Sequence, residues 1–335
     1  MEQIENNPSS KSPVTLKEVA EAAKVSIATA SYSLNNSGSV SANTRKKVIE
    51  IAKQLGYQPN ISAKAMRTGK TGIIGLLMPD FTNPFFSQLT QSVLIAARQL
   101  NYEVIISNSM GHFDTEKNCI DALTKQGIEG LIWFPINETS SSSINLQIPA
   151  VVIDRYFNNL DCIIADCESG GEIAAKFLID NGHKNIGLIN GPLDVKSSRL
   201  RANGARQYLT KFNTLEWEYE SAYSYDLDDE LIKLISQNKV SAIITGADVI
   251  AIGVLRVAQK NGLSVPHDLS IIGFDNIPWT ELSQPALTTI NYPVTEIGTE
   301  SVTCLLRRLA HPTDPQRKIE FPTGLVVRDS VSFKN

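Results

Sequence analysis

The stretch Thr15-Leu-Lys-Glu-Val-Ala-Glu-Ala-Ala-Lys-Val-Ser-Ile-Ala-Thr-Ala-Ser-Tyr-Ser-Leu34 carries the pattern that decides the fold of the first part of this chain. Thr15, followed three residues later by Glu18, is a capping box, in which each side chain satisfies a backbone N–H at the start of a helix. Ser26 is a favourable N-cap for a second helix. The stretch therefore predicts two short helices joined by a tight turn.

The segment from Ser41 to Gly56 predicts a third helix. Ser41 is a suitable N-cap, and Gly56 suits the left-handed conformation in which helices commonly end. The apolar residues expected to face inward are Val48, Ile51, Ala52 and Leu55. Two short helices joined by a turn form a helix-turn-helix, whose second helix enters the major groove of DNA. We therefore predict an all-α helix-turn-helix headpiece over residues 14–59.

Basic residues concentrate in this headpiece and just after it. Residues 11–70 contain ten lysines and arginines against three acidic residues, whereas residues 71–335 contain 21 against 30. A small basic module on a large acidic body is expected to bind a polyanion through one end only. With the helix-turn-helix, this charge distribution predicts double-stranded DNA as the partner.

The second helix offers two kinds of DNA contact. Small polar side chains suit phosphate oxygens, and the exposed face should meet base edges. The predicted contacts in the headpiece are Thr15, Ser26, Ile27, Ala28, Thr29, Ser31, Tyr32 and Asn35.

Residues 60–70 are predicted to form a hinge helix, which is too short to be stable without DNA or a partner copy. Met66 lies beside the cationic Arg67, which suits an apolar wedge inserted from the minor groove. The alternative is a plain solvated linker. The predicted hinge contacts with DNA are Asn60, Ala63, Lys64, Met66 and Arg67.

The chain resembles the lactose repressor family of bacterial regulators, the LacI/GalR type. The resemblance rests on Thr15-Leu-x-x-Val-Ala-x-x-Ala-x-Val-Ser-x-x-Thr-x-Ser31, on Val40-Ser41 with Thr44-Arg45, and on Leu55-Gly56-Tyr57-x-Pro59-Asn60. It implies a transcriptional repressor that binds a near-palindromic operator as a homodimer and responds to a small-molecule effector. Because the chain ends at Asn335 without the leucine-rich helix of tetrameric members, we expect dimers.

From residue 71 onward the sequence alternates short apolar runs with helical patterns, as in parallel sheets covered by helices on both faces. The predicted strands are 73–78, 103–107, 131–134, 151–153, 163–164, 186–189, 242–245 and 269–273. The predicted helices are 84–100, 114–126, 169–181, 198–212, 228–237 and 248–261. These are too many units for one sheet, so we predict two doubly wound parallel-sheet lobes with a ligand between them.

The resemblance implies an α/β sensor domain like the periplasmic sugar-binding proteins, with three crossings between the lobes. We expect the sensor domain at 71–335, with lobe 1 at about 71–166 and 291–322 and lobe 2 at about 167–290 and 323–335. The effector is expected to be a sugar or sugar derivative, alternatively a purine.

The resemblance also indicates the effector contacts. Arg201 and Asp275 match the two main ligand-gripping positions, and Asp154 matches a third. The expected apolar surfaces are Phe85, Phe86 and Tyr225. Ala247 departs from the pattern, because the family usually places Asn before the Asp that is here Asp248.

Other classes of protein find little support in the sequence. Motifs for dinucleotide, phosphate or zinc-protease chemistry are absent, so we expect neither an enzyme nor a cofactor or metal. The four cysteines form no C-x-x-C pair and are typical of a reducing cytoplasm. No apolar run is long enough for a membrane helix. Residues 1–13 read as a disordered tail rather than a signal peptide, which argues against a periplasmic binding protein.

Overall fold

The computed structural model describes residues 14–57, 70–237 and 239–334. The chain divides into two compact units between Thr71 and Gly72. The tail predicted at 1–13 and residues 60–69 of the predicted hinge lie outside the described residues.

Within its described residues, the first unit contains three helices, α1 (Leu16–Ala23), α2 (Ile27–Leu34) and α3 (Ala42–Leu55). The predicted capping box is confirmed, since the Glu18 N–H donates to Thr15 Oγ1 at 3.3 Å and the Thr15 N–H donates to Glu18 Oε2 at 2.6 Å. The Ser26 and Ser41 hydroxyls cap α2 and α3 by accepting from the backbone N–H three residues later. Sequence-local hydrogen bonds therefore set all three helix starts.

The core of this unit is small and made largely of alanine and valine. Its buried residues are Val19, Ala20, Ala23, Ala30, Val48 and Ala52. Gly56 ends α3 with φ +68°, as predicted. The expected inward position of Leu55 is wrong, because its side chain is 40% exposed. Leu55 is the last residue of α3 and lies outside the buried core of the described residues.

The second unit is built on two six-stranded sheets. The strands are β1 (Ile73–Met78), β2 (Glu103–Asn108), β3 (Leu131–Trp133), β4 (Ala150–Ile153), β5 (Asp161–Ala165), β6 (Ile186–Asn190), β7 (Leu215–Glu220), β8 (Ala242–Thr245), β9 (Ser270–Asp275), β10 (Thr288–Asn291), β11 (Lys318–Phe321) and β12 (Gly324–Val326). The first sheet has the order β11-β5-β4-β3-β1-β2 and the second β12-β10-β9-β8-β6-β7. All pairings are parallel except β10 with β12.

Helices cover the faces of both sheets. They are α4 (Pro84–Gln99), α5 (Phe113–Lys125), α6 (Glu138–Ser141), α7 (Cys167–Asp180), α8 (Lys196–Lys211), α9 (Asp229–Ser236), α10 (Asp248–Lys260), α11 (Trp279–Leu282) and α12 (Val294–Ala310). Strands β4, β5 and β8 are buried along their whole length, because helices lie on both sides of the sheet.

Each sheet forms one lobe, and the chain passes between the lobes three times. It leaves lobe 1 after β5, returns after β10 to form α12 and β11, and ends with β12 in lobe 2. The predicted pair of doubly wound lobes is therefore confirmed. Strands β7, β10, β11 and β12 and helices α6, α11 and α12 were not predicted.

Two general features complete the description. None of the helices in the described ranges has the length and apolar character needed to cross a membrane. Within the same ranges, His, Cys, Asp and Glu side chains form no cluster suited to a metal ion.

Candidate DNA-binding helix and effector pocket

Helix α2 presents one buried and one exposed face. Ala30 and Ser33 are buried, and the Ser33 hydroxyl donates to the Thr29 carbonyl oxygen at 2.7 Å. Ile27 and Tyr32 are 51% and 47% exposed, although both side chains are large and partly apolar. An exposed apolar surface on a small basic unit is expected where another molecule binds.

Gly38 fixes the position of the Tyr32 ring. Gly38 has φ +67°, and a Cβ atom there would lie 2.9 Å from Tyr32 Cγ and 3.1 Å from Cδ2. The ring therefore lies directly against the backbone of the loop after α2. This contact holds the Tyr32 side chain on the exposed face of the helix.

The polar residues predicted to contact DNA bond with one another. Ser26 Oγ and Thr29 Oγ1 are 2.9 Å apart, and Asn35 Nδ2 donates to the Ser31 carbonyl oxygen at 2.9 Å. Thr15 is exposed, and its hydroxyl donates to Glu18 Oε2 at 2.8 Å. Ala28 is exposed beside Ile27. The predicted contacts Asn60, Ala63, Lys64, Met66 and Arg67 lie outside the described residues.

A pocket with a cavity volume of about 40 Å³ lies where the two lobes meet. Its lining residues are Asn83, Phe85, Phe86, Phe134, Asp154, Arg155, Arg201, Tyr223, Asp275 and Tyr292. Most of them follow the carboxyl end of a strand, which is where ligands bind in open α/β sheets.

The structure brings five of the six predicted effector residues into this pocket: Phe85, Phe86, Asp154, Arg201 and Asp275. The expectation for Tyr225 needs correction. Its ring is 45% exposed and packs edge-on against Trp279 at 6.5 Å, away from the pocket. Tyr223, two residues earlier, lines the pocket instead.

Asp154 is the centre of the hydrogen bonds on the lobe 1 side. Its Oδ1 accepts from the Tyr292 hydroxyl at 3.0 Å, and its Oδ2 accepts from the Ser197 hydroxyl at 2.6 Å and from Arg155. Ser197 belongs to α8 of lobe 2, so this carboxylate also connects the lobes. Burial, reinforced by the charge of Asp154, raises the pKa of Tyr292 well above its usual range, and its hydroxyl stays a donor.

Arg201 and Asp275 form the matching pair on the lobe 2 side. Arg201 Nη1 lies 3.6 Å from Asp275 Oδ1 and also donates to the Gly246 carbonyl oxygen. The guanidinium carbon lies 3.7 Å from the centroid of the Phe274 ring. Burial raises the pKa of Asp275 well above its usual range, and the charge of Arg201 acts against this shift.

Aromatic rings form one wall of the pocket, and the Arg155 guanidinium lies over one of them, 4.7 Å from the Phe134 centroid. Phe85 contacts Phe86 and Tyr292 edge-on, with centroids 5.1 and 5.0 Å apart. Phe86 contacts Phe134 at 5.0 Å. Such a wall excludes water and strengthens the polar contacts that face it.

The two central carboxylates belong to residues with positive φ angles. Asp154 has φ +60° and Asp275 has φ +114°, in a region that residues with a side chain rarely adopt. Backbone strain of this kind is typical of functional sites. The prediction missed Asn83, Phe134, Arg155, Tyr223 and Tyr292. Three of these, Phe134, Arg155 and Tyr292, lie within two residues of a strand end, and that position was an available signal.

Comparisons with known proteins agree with this arrangement. Residues 15–60 match the family described as bacterial regulatory proteins, lacI family, and residues 175–331 match a periplasmic binding protein-like domain. The ribose operon repressor of Halalkalibacterium halodurans is 30% identical over 94% of this chain and 96% of its own length. The HTH-type transcriptional repressor PurR of Histophilus somni (strain 129Pt) is 31% identical over 95% of this chain and 98% of its own.

Among solved structures, the lac repressor dimer bound to operator and the anti-inducer ONPF superimposes with a TM-score of 0.84 at 29% identity, covering 96% of this chain and 99% of that one. A helix-turn-helix unit followed by a two-lobed domain with a pocket between the lobes defines a ligand-responsive, DNA-binding regulator of transcription. The chain belongs to the lacI family of bacterial regulatory proteins.

Proposed function

We propose that this chain is a dimeric transcriptional repressor whose effector is an uncharged, polyhydroxylated molecule of about monosaccharide size. It acts on operator DNA in the cytoplasm and has no catalytic activity. One observation carries the choice of effector: each arginine that lines the pocket already lies beside a carboxyl group of the protein. Asp154 lies beside Arg155 and Asp275 beside Arg201, all four being at most 8% exposed.

A phosphate group would bring uncompensated charge into this pocket. Each guanidinium already lies beside a carboxyl group, and among the described residues the pocket lining holds no further cation. Burying an unpaired charge costs on the order of several kcal/mol. A neutral ligand avoids that cost.

Hydroxyl groups match the hydrogen-bonding capacity that remains. The Nε atoms of Arg155 and Arg201 are buried and have no hydrogen-bond partner among the described residues. They are donors, and a ligand oxygen can accept from them. Asp275 can in turn accept from ligand hydroxyls. A molecule with several hydroxyls serves as both acceptor and donor in this pocket, and the similarity to a ribose operon repressor supports a sugar.

A purine is the second candidate. Phe85, Phe86 and Phe134 offer flat apolar surfaces on which a base could stack, and the chain is similar to the transcriptional repressor PurR of Histophilus somni. A purine edge also carries both donors and acceptors.

Thermal shift and calorimetry with D-ribose, ribose 5-phosphate and a free purine base will separate the candidates. We expect D-ribose or another neutral sugar to raise the melting temperature and its phosphate ester to bind at least tenfold more weakly, or about 1.4 kcal/mol. Tighter binding of the phosphate ester would contradict the charge argument. If only the purine raises the melting temperature, the purine replaces the sugar as the proposed effector.

Arg201→Ala and Asp275→Ala test the pocket itself. Each substitution should weaken binding of the sugar by about 1.5–3 kcal/mol, the usual loss for a charge-assisted hydrogen bond. Operator binding without effector should remain near that of the unaltered protein. Arg256→Ala is a matched control, because Arg256 is exposed and pairs with Asp226 outside the pocket. A full effector response in either pocket variant would show that the effector binds outside this pocket.

A further inference from the structure

Asp248 is a fully buried carboxylate next to the effector pocket that does not line it. It is the first residue of α10. Its Oδ2 accepts from the backbone N–H of Ile277 at 2.8 Å, and its Oδ1 accepts from the Thr289 hydroxyl at 2.6 Å. The two bonds connect α10 to strand β10 and to the turn that follows β9.

That turn presents Asp275 to the pocket. Asp275 and Asn276 have φ +114° and φ +59°, so two consecutive residues with side chains adopt strained backbone conformations. A turn of this kind persists only where the surroundings hold it. Arg328 Nη2 holds the Asn276 side chain at 2.8 Å, while Asp248 holds the backbone of the next residue, Ile277.

We propose that Asp248 is a positioning residue for effector recognition: by accepting from the Ile277 N–H, it holds the turn in which the Asp275 carboxylate faces the ligand and Arg201. The proposal rests on the proposed function only in that Asp275 contacts the effector. Asp248 itself makes no contact with the ligand. Ala247 precedes Asp248 and gives α10 no side-chain cap, while the Asp248 carboxylate bonds to Ile277 and Thr289, outside the helix.

Asp248→Ala removes both hydrogen bonds, whereas Asp248→Asn can keep both. An asparagine oxygen can accept from the Ile277 N–H, and its amide can donate to Thr289 Oγ1. Ser330→Ala is the matched control. Ser330 is equally buried in lobe 2 and also makes two hydrogen bonds, accepting from the Thr288 N–H at 2.8 Å and donating to the Ile271 carbonyl oxygen at 2.6 Å.

Two measurements on the full-length chain decide the proposal. In the first, D-ribose is titrated by calorimetry. Asp248→Ala should bind about tenfold more weakly. Asp248→Asn and Ser330→Ala should stay within about threefold of the unaltered protein. Equal affinity of Asp248→Ala and the unaltered protein, or an equal loss in Ser330→Ala, would overturn the positioning role.

The second measurement needs no ligand. Hydrogen exchange of the backbone amides of Asp275, Asn276 and Ile277 should be faster in Asp248→Ala and unchanged in Ser330→Ala and Asp248→Asn. Unchanged exchange of this turn in Asp248→Ala would overturn the proposal. If the unaltered protein does not bind D-ribose, that sugar fails as the effector, and if no neutral sugar binds, the proposed class of effector fails. In either case the exchange measurement still decides the role of Asp248.

Discussion

The contact between Gly38 and the Tyr32 ring predicts how one methyl group will alter operator recognition. Gly38→Ala places a Cβ 2.9 Å from Tyr32 Cγ, so the ring must move. A side chain at φ +67° costs about 1 kcal/mol, and an off-rotamer tyrosine costs about 0.5–1.5 kcal/mol more. We therefore expect the free energy of unfolding of the headpiece to fall by about 2 kcal/mol.

Gly56→Ala separates the two contributions. Gly56 has nearly the same φ, +68°, but nothing lies within 4 Å of its hypothetical Cβ. Gly56→Ala should therefore lower the free energy of unfolding only by the backbone contribution of about 1 kcal/mol. The local stability of residues 15–55 can be measured by native-state hydrogen exchange in the full-length chain.

Operator selection is the second measurement. Sequences selected from a random DNA pool by the unaltered protein define the operator, and competition gel shifts at one salt concentration then compare the variants. Displacing Tyr32 should weaken specific binding by about 1 kcal/mol, the value of one hydrogen bond, and relax selection at one position. Gly56→Ala should keep the original selection. If both variants select the same sequence with equal affinity, Gly38 does not fix the Tyr32 ring and the reasoning fails.

Three further outcomes are expected. Deleting residues 1–70 should leave a folded unit that binds effector without operator affinity, because the basic residues leave with it; specific operator binding by the truncated chain in filter assays would contradict the assignment. Tyr32→Arg should change the preferred base at one position by about 1–3 kcal/mol, since a bidentate fork replaces one hydroxyl; an unchanged selected sequence would remove Tyr32 from base contact. Burial raises the pKa of Asp248 from 3.8 to about 7, with Asp275 and Arg328 nearby. Folding therefore takes up a proton between about pH 4 and pH 7, and this contribution to stability falls as pH rises through that window. The free energy of unfolding, measured with urea at a series of pH values, should change less with pH in Asp248→Asn than in the unaltered protein. An identical pH dependence in both proteins would show that Asp248 does not titrate in this window.

The headpiece was predictable because its signals are local. Thr15, Glu18, Ser26 and Ser41 bond within three residues of themselves, so the sequence spacing alone identifies each helix start. Buried central strands were also predictable, since parallel strands covered on both faces are continuously apolar.

The missed elements have two different explanations. Strand β7 lies at a sheet edge and places exposed glutamates at every second position, so its charge obscured the alternating apolar residues Leu215, Trp217 and Tyr219. Helix α12 had an adequate signal in its buried stripe of Ile297, Val302 and Leu305, and it could have been predicted.

The pocket was only partly predictable because its contacts join distant parts of the chain. The bond between Tyr292 and Asp154 spans 138 residues, and no spacing rule indicates it. Tyr225 and Tyr223 are equally plausible from sequence, and only the path of the chain after β7 places Tyr223 in the pocket.

The small volume of the pocket has a kinetic consequence. About 40 Å³ is far below the roughly 300 Å³ at which ligand pockets begin. Entry therefore requires the lobes to separate, which breaks the bond from Ser197 to Asp154 and that from Asn137 to Asp194. The apparent dissociation constant then equals the intrinsic one divided by the fraction of open molecules. Contacts between the lobes thus help to set how tightly the protein responds, and a substitution of Asp194 at the edge of the cleft would change its sensitivity without altering the pocket lining.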